Sequence, residues 1–512
     1  MELSGGSSSV PTQNVRLLGE CGAPSALRNR YKVIRPGTKA AKVPDLPRAN
    51  ALPPESVGTR LPPSPTLDGP ADDVCQNAWM KSLRRNGLLS ALLVLAIVAS
   101  ACGSAVNSPS APSTEAATAS SPASPSASRS AAGSPNQADQ AVYAAIESQV
   151  QAIRQLQPKT TVAPVLLDSN GVRGWLTKAN ADQTNHQALA DESRLFVHLG
   201  LLPAGSSLEQ MELDLQAGQV IGFYDPVSKG LYVLSESGGV GPAEKLTFSH
   251  EYTQALQDQN FGLDKLAIDT PDQGDRDLAR TALPEGDATL EMTLWMTRNL
   301  SPADLLIIAG GSLGGPQADQ LAKAPAILRQ TLMFPYDAGL AFVEGIYGKG
   351  GWAAVDKVYA NPPASTSQIL HPQLYADGVA PVAVAVPAVP PALVSGWKLT
   401  MQDTLGELQL RIWLEGESPD SAGSTAAAAA TSGWGGDRVG LYEGPNGAWA
   451  VLLHTAWRSE AGATAFSAAA DQRLTALGEQ FRVCAGDSTH VNLAIASSEP
   501  LVPEFIDCNT MG

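Results

Sequence analysis

Between residues 80 and 136 the chain cannot build a packed domain, and this interval decides where one can begin. Residues 103–136 are almost entirely Ser, Ala, Pro, Gly, Asn and Thr. Such a segment is too poor in apolar groups to offset the entropy of ordering it, and it reads as a flexible tether. Just ahead of it, the basic cluster Met80-Lys81-Ser82-Leu83-Arg84-Arg85 leads into the apolar run GLLSALLVLAIVASA, Gly87 to Ala101, and then Cys102. An apolar run of about 15 residues falls short of the roughly 20 that a membrane-spanning helix needs. A basic start, a short apolar stretch and small residues at its end are the layout of an export signal.

Residues 1–79 are rich in Pro, Gly and Ser with no sustained apolar period, so they are expected to be disordered. Signals act at an N-terminus. Met80 is therefore expected to be the true start, with residues 1–79 a translated upstream extension and 80–102 the signal. Cys102 after Ala99-Ser100-Ala101 resembles a bacterial lipoprotein box, although such boxes more often carry Leu three places before the Cys. The resemblance implies that Cys102 is lipidated and holds an extracytoplasmic domain on the cell membrane. A short membrane anchor or a buried helix is the alternative.

What remains to fold is 137–512, which holds 21 Lys and Arg against 42 Asp and Glu. A surface this acidic repels phosphate backbones, which argues against nucleic acid as a partner. It also lacks an electrostatic grip on anionic lipid, leaving membrane attachment to the acyl anchor. Of the five cysteines, Cys484 and Cys508 alone fall in this part. An even pair in an exported chain suggests a disulfide pinning the C-terminal tail, with two free buried thiols as the alternative.

Hydrophobic spacing predicts a helix over 137–156 and a short strand at 163–167. VIGFYDP and LYVLSE read as two strands of a hairpin, turning through Val227-Ser228-Lys229-Gly230. From Gly241 the period turns helical to about Phe261, and a second long helix, interrupted at Pro284, spans 275–298. More helices follow to about 415. A hairpin around Gly444-Pro445-Asn446-Gly447, a helix at 459–477 and two strands close the chain. The expected class is α+β. A mainly helical domain, 137–394, carries the hairpin and the helix after it, and a smaller α+β part spans 395–512.

That helix contains SHEYTQALQDQ, Ser249 to Gln259. Positions i and i+4 share a helix face, so His250 and position 254 project together, with Glu251 about 100° further round. His-Glu-x-x-His in this geometry gives two metal ligands and a general base for a polarised water. Here the fifth position is Gln254. The alternative is an amphipathic helix with Leu246, Tyr252, Ala255 and Leu256 in the core. His250, Gln254, Gln257 and Asp258 would then form a solvated polar face.

From about Pro164 to Ala470 the sequence resembles a family of uncharacterised bacterial exported proteins with a gluzincin-type zinc metallopeptidase motif. The matching segments are IGFYDPVSKGLYV; LTFSHEYTQALQDQNF, similar to the family's HEYTHALQDQHF; PEGDATLEM; PYDAGLAFVEGIYGKGGWAAVDKVYANPPASTSQILHP; and GWGGDRVGLYE. The resemblance implies a metallopeptidase-like fold, zinc as cofactor and a peptide or protein ligand laid along the hairpin's edge strand. By position it implies His250 and Glu285 as metal ligands, Gln254 in the second ligand's place and Glu251 as general base. His371 would be an oxyanion donor or a replacement ligand, or a histidine satisfied locally. Asp287 would support a ligand from behind, or act simply as a charge in the first turn of a helix starting at Pro284.

An amide oxygen is a hard, weak donor and rarely serves zinc. Gln254 is thus expected to lower metal affinity and hydrolysis together. Three readings follow: a weak or inactive metallopeptidase-like protein that binds extended peptide, an active peptidase using Gln254 or His371, or a structural lipoprotein. All require one geometric test. His250, Gln254 and Glu285 should converge on a point at a zinc-ligand radius of about 2.0–2.3 Å.

Overall fold

The structure, a computed structural model, describes residues 135–512 apart from 180–182, 220–221, 236–238, 269, 313–315, 387, 392, 418 and 509–512. The expected upstream extension, the expected signal with Cys102, and the expected tether as far as residue 134 lie outside the described residues.

The elements run α1 (Gln137–Arg154), β1 (Pro164–Leu167), α2 (Ser169–Ala179), α3 (Gln183–His198), α4 (Leu208–Gln219), β2 (Gly222–Asp225) and β3 (Gly230–Leu234). Next come α5 (Pro242–Phe261), α6 (Gly274–Asn299), α7 (Pro302–Ser312), α8 (Pro316–Lys323), α9 (Ala326–Gly350), α10 (Trp352–Val358), α11 (Thr366–Leu370) and α12 (Pro372–Ala376). The chain ends with β4 (Lys398–Asp403), α13 (Gly406–Glu415), α14 (Ser421–Thr431), β5 (Trp434–Glu443), β6 (Trp449–Trp457), α15 (Glu460–Leu477), β7 (Gln480–Ala485), β8 (His490–Ala496) and α16 (Val502–Phe505). The fold is mixed α+β.

Two sheets organise the helices. The first has order β1-β3-β2, with β1 parallel and β2 antiparallel to the central β3, so β2 is an edge. The second is antiparallel, with order β4-β5-β6-β8-β7. One hydrophobic core runs from Leu189 on α3 through Phe342 on α9 to Ile495 on β8, so 137–394 and 395–512 share packing. A second core lies between α1, α5 and the first sheet, with Val150, Phe248 and Leu231 at its centre. Cys484 and Cys508 form a disulfide with Cα atoms 5.2 Å apart, tying β7 to the segment after α16. No helix among the described residues is long and apolar enough to cross a membrane.

Three local features aim the motif. The β2–β3 turn is closed by Asp225, whose carboxylate accepts from the Val227 and Ser228 amides at 3.0 and 3.3 Å. Its left-handed residue is Lys229, φ 56°, and not the glycine that follows. Helix α5 starts with Pro242 in its first turn and stops at Gly262, φ 75°, where a side chain would be strained. Helix α6 runs unbroken through Pro284, contrary to the interruption expected there. Neighbouring packing offsets the lost backbone bond. Opposite, α9 approaches so closely that a Cβ on Gly286 would stand 2.2 Å from the Gly339 carbonyl oxygen.

Candidate functional site

Helix α5 is buried on all sides from Leu246 to Asp258. The expected solvated polar face does not exist: His250, Gln254, Gln257 and Asp258 are 0–6% exposed. That face meets another helix. α6 presents Glu285, whose side chain is equally enclosed, and Gln257 Nε2 donates to the Pro284 carbonyl at 3.1 Å.

The three expected ligands converge. His250 Nε2 lies 3.2 Å from Glu285 Oε2, and Gln254 Nε2 lies 3.2 Å from His250 Nε2 and 3.0 Å from Glu285 Oε2. These separations are slightly tighter than the roughly 3.4 Å edge of a tetrahedral zinc site. The atom at the third corner is a nitrogen donor. Were the amide turned over, its oxygen would face the Glu285 carboxylate at the same 3.0 Å, acceptor against acceptor. Gln254 therefore places an NH₂ group between imidazole and carboxylate, where a cation would otherwise sit.

Burial lowers the affinity of the His250 ring for a proton, but the Glu285 hydrogen bond and the charges of Glu251, Glu285 and Asp287 outweigh it and push its pKa up. Tyr336 hydrogen-bonds Glu285 from α9, and burial together with Glu285 and Glu251 drives its hydroxyl well above the usual phenol range. Glu251 is fully enclosed. Burial pushes its carboxyl up to about 8, partly countered by His250 and by the Tyr224 amide, which donates to Oε2 at 2.8 Å. His250 Nδ1 and Glu251 Oε1 have no hydrogen-bond partner among the described residues.

The other expected site residues separate. Asp287 turns from the cluster to Arg154, which donates Nε to Oδ1 at 2.6 Å and Nη2 to Oδ2 at 2.8 Å, while the Tyr359 hydroxyl donates to Oδ2 at 2.7 Å. It reaches His250 through charge and touches no ligand there. His371 lies between α11 and α12, where its Nε2 pairs with Glu407 Oε1 of α13 at 2.6 Å. It is satisfied locally.

Four groups escape the sequence reading: Tyr224, Thr253, Glu291 and Tyr336. Glu291 is fully buried, accepts from Thr253 Oγ1 at 3.1 Å, and is pushed well above the carboxylate range by burial. PEGDATLEM carries three acids in seven residues of a buried helix, and that density is the signal for Glu291. Nothing local marks Tyr224 or Tyr336, because their roles depend on the helix crossings.

The donor set does not fit zinc as it stands. It offers one imidazole nitrogen and one carboxylate, and the amide nitrogen has no lone pair for a metal. Among the described residues no three His, Cys, Asp or Glu side chains are grouped to hold a metal ion. What the arrangement does chemically is give the buried Glu285 carboxylate an amide donor beside the His250 ring.

A family model described as a domain of unknown function, DUF8575, matches residues 397–498. This is the segment from just before β4 to just beyond β8. No curated protein and no solved structure matches the chain.

Proposed function

We propose that this chain is a metallopeptidase-like, lipid-tethered extracytoplasmic protein whose former metal centre is a hydrogen-bonded core junction without hydrolytic activity. The observation that carries the reading is the position of Gln254. Its NH₂ group stands 3.0 Å from the Glu285 carboxylate and 3.2 Å from the His250 ring, in place of a metal ligand. Burial supports it further, since His250, Glu251, Gln254 and Glu285 are 0–3% exposed and offer no open coordination position to a substrate. Tethering rests on the Cys102 sequence, and peptide binding, if retained, needs a face other than this enclosed junction.

A second reading, a weak zinc peptidase, draws on the unpartnered Glu251 Oε1. A buried polar atom is costly to leave unmade, and the water of a bound ion would satisfy it. Metal analysis of the purified protein before and after Gln254→His separates the two. The non-hydrolytic reading expects no stoichiometric zinc in the native chain and zinc after substitution. Stoichiometric zinc in the native chain, with peptide hydrolysis lost in Glu251→Gln, overturns it.

A further inference from the structure

Away from the motif helix, the register of the five-stranded sheet lines up three unlike side chains. Lys398 of β4 pairs with Glu443 of β5, and Glu443 pairs with Trp449 of β6. An ammonium, a carboxylate and an indole thus stand side by side at one end of the sheet. Helix α3 supplies the facing wall by helical spacing. Arg194 donates Nε to Glu443 Oε1 at 2.8 Å, and His198, one turn on, stacks on Trp449 with ring centroids 3.7 Å apart and planes 16° apart. Trp397 closes the rim; its ring lies so near Gly444 that a Cβ there would come within 2.3 Å. Together they line an open cleft of about 670 Å³, inside the roughly 300–1,000 Å³ range of small-ligand sites.

Each wall is prepared without a ligand. Burial opposes the Glu443 charge, but Thr400 Oγ1 at 2.8 Å and Arg194 hold the carboxyl below its usual range. Burial brings the His198 pKa down to about 4, so the ring against Trp449 is neutral. The Lys398 ammonium is exposed. Neither it nor the indole N–H of Trp397 or Trp449 has a hydrogen-bond partner among the described residues.

We propose that this cavity binds a saccharide of one or two pyranose rings, an apolar ring face laid on indole and the hydroxyls shared among Glu443, Lys398 and the indole N–H groups. A pyranose presents C–H groups on its faces and hydroxyls around its edge, so it needs aromatic, acceptor and donor groups interleaved at close range. The row Lys398–Glu443–Trp449 supplies that sequence. Competing chemistries fit less well. A quaternary ammonium is opposed by Lys398 and Arg194. The chain's net charge of −16 repels polyanions.

The site uses none of the motif-helix residues, so its test is independent of the metal question. The full chain is titrated calorimetrically with diacetylchitobiose and cellobiose, and in parallel with adenosine and a phenylalanyl dipeptide. Saturable binding of at least one disaccharide is expected, weakened about tenfold or more in Trp449→Ala and in Lys398→Glu. Lys398 is exposed, but its variant sets a carboxylate opposite Glu443, so its melting temperature is measured alongside, and a folded Lys398→Glu decides the matter alone if Trp449→Ala fails to fold. Absence of saturable disaccharide binding at millimolar concentration overturns the proposal. So does disaccharide binding that Lys398→Glu leaves intact, or preference for adenosine or the dipeptide.

Discussion

The backbone amide of Tyr224 donates to Glu251 Oε2 at 2.8 Å, binding the edge strand β2 to the motif carboxylate. In a working metallopeptidase the two would serve substrate separately, one pairing with its backbone and the other activating water. Here each occupies the other. The Tyr224 hydroxyl extends the lock, donating to Asp258 Oδ2 at 2.8 Å, while Lys229 Nζ reaches the same oxygen at 2.6 Å.

Burial of the carboxylates sets a pH dependence, which this contact opposes at Glu251. Burial raises the Glu251 carboxyl to about 8, Asp275 to about 8 and Asp403 to about 7. In the unfolded chain such groups titrate near 4. Between those values the folded state holds protons that the unfolded state has lost, so stability is full below about pH 4 and falls as pH rises through 7–8. The melting temperature is expected to be higher at pH 5 than at pH 8.5. Glu251→Gln keeps an acceptor for Tyr224 and removes one titration, so its melting temperature should fall less over that interval. The corresponding difference in unfolding free energy should be on the order of a few kcal/mol.

Arg154 and Asp287 make the enclosed ion pair that fastens α1 to α6, both side chains 0% exposed. The guanidinium also lies 4.4 Å from the Trp352 ring centre and 2.8 Å from Asp356. Asp287→Asn leaves the buried guanidinium only the part-exposed Asp356 as a carboxylate partner among the described residues, so it should cost about 3–5 kcal/mol by urea unfolding. The double variant Arg154→Met, Asp287→Asn should be less destabilised than the single one. Equal losses would mean the pair acts only through packing.

The elements that the sequence declares and those it conceals differ in a physical way. Helix α1 carries Ile146, Val150 and Ile153 on one stripe, and the period alone reveals it. Helix α14, SAGSTAAAAAT, has no such stripe and reads equally as a linker, although alanine favours helix and Asp420 caps it through the Gly423 amide at 2.6 Å. Strand β4 is half exposed along its length and carries little apolar alternation to mark it. At the site, the spacing of His250 and Gln254 was legible because i,i+4 geometry is local. Whether that face met water was not, because the answer depends on Glu285 arriving from α6. The carboxylates of Asp275 and Asp437, buried near the β4–α13 corner, were hidden for the same reason.

Gln254 should matter to stability more than to chemistry. Its NH₂ group is within hydrogen-bond reach of both His250 and Glu285. Gln254→Leu fills a similar volume and leaves the Glu285 carboxylate without this donor, a loss of about 1–3 kcal/mol. Denaturant unfolding of the variant should show a lower midpoint with an unchanged slope. A variant as stable as the native chain would show that another donor takes over the junction.

A close approach in the helical part is at Gly286 and Gly339, where α6 and α9 cross backbone to backbone. A Cβ on Gly286 would stand 2.2 Å from the Gly339 oxygen, and one on Gly339 would stand 2.4 Å from the Ala282 oxygen. Neither neighbour is a flexible side chain that can yield, so the helices must part. Parting them would carry Glu285, one residue before Gly286, away from His250. Gly286→Ala should therefore cost about 3 kcal/mol or more. Gly345→Ala is the matched control on α9, since Gly345 is exposed and a Cβ added there would meet no atom within 4 Å. Alanine there should add up to about 1 kcal/mol by helix propensity. Chemical denaturation of the two variants side by side measures the contrast, and equal midpoints would mean that the crossing relaxes without strain.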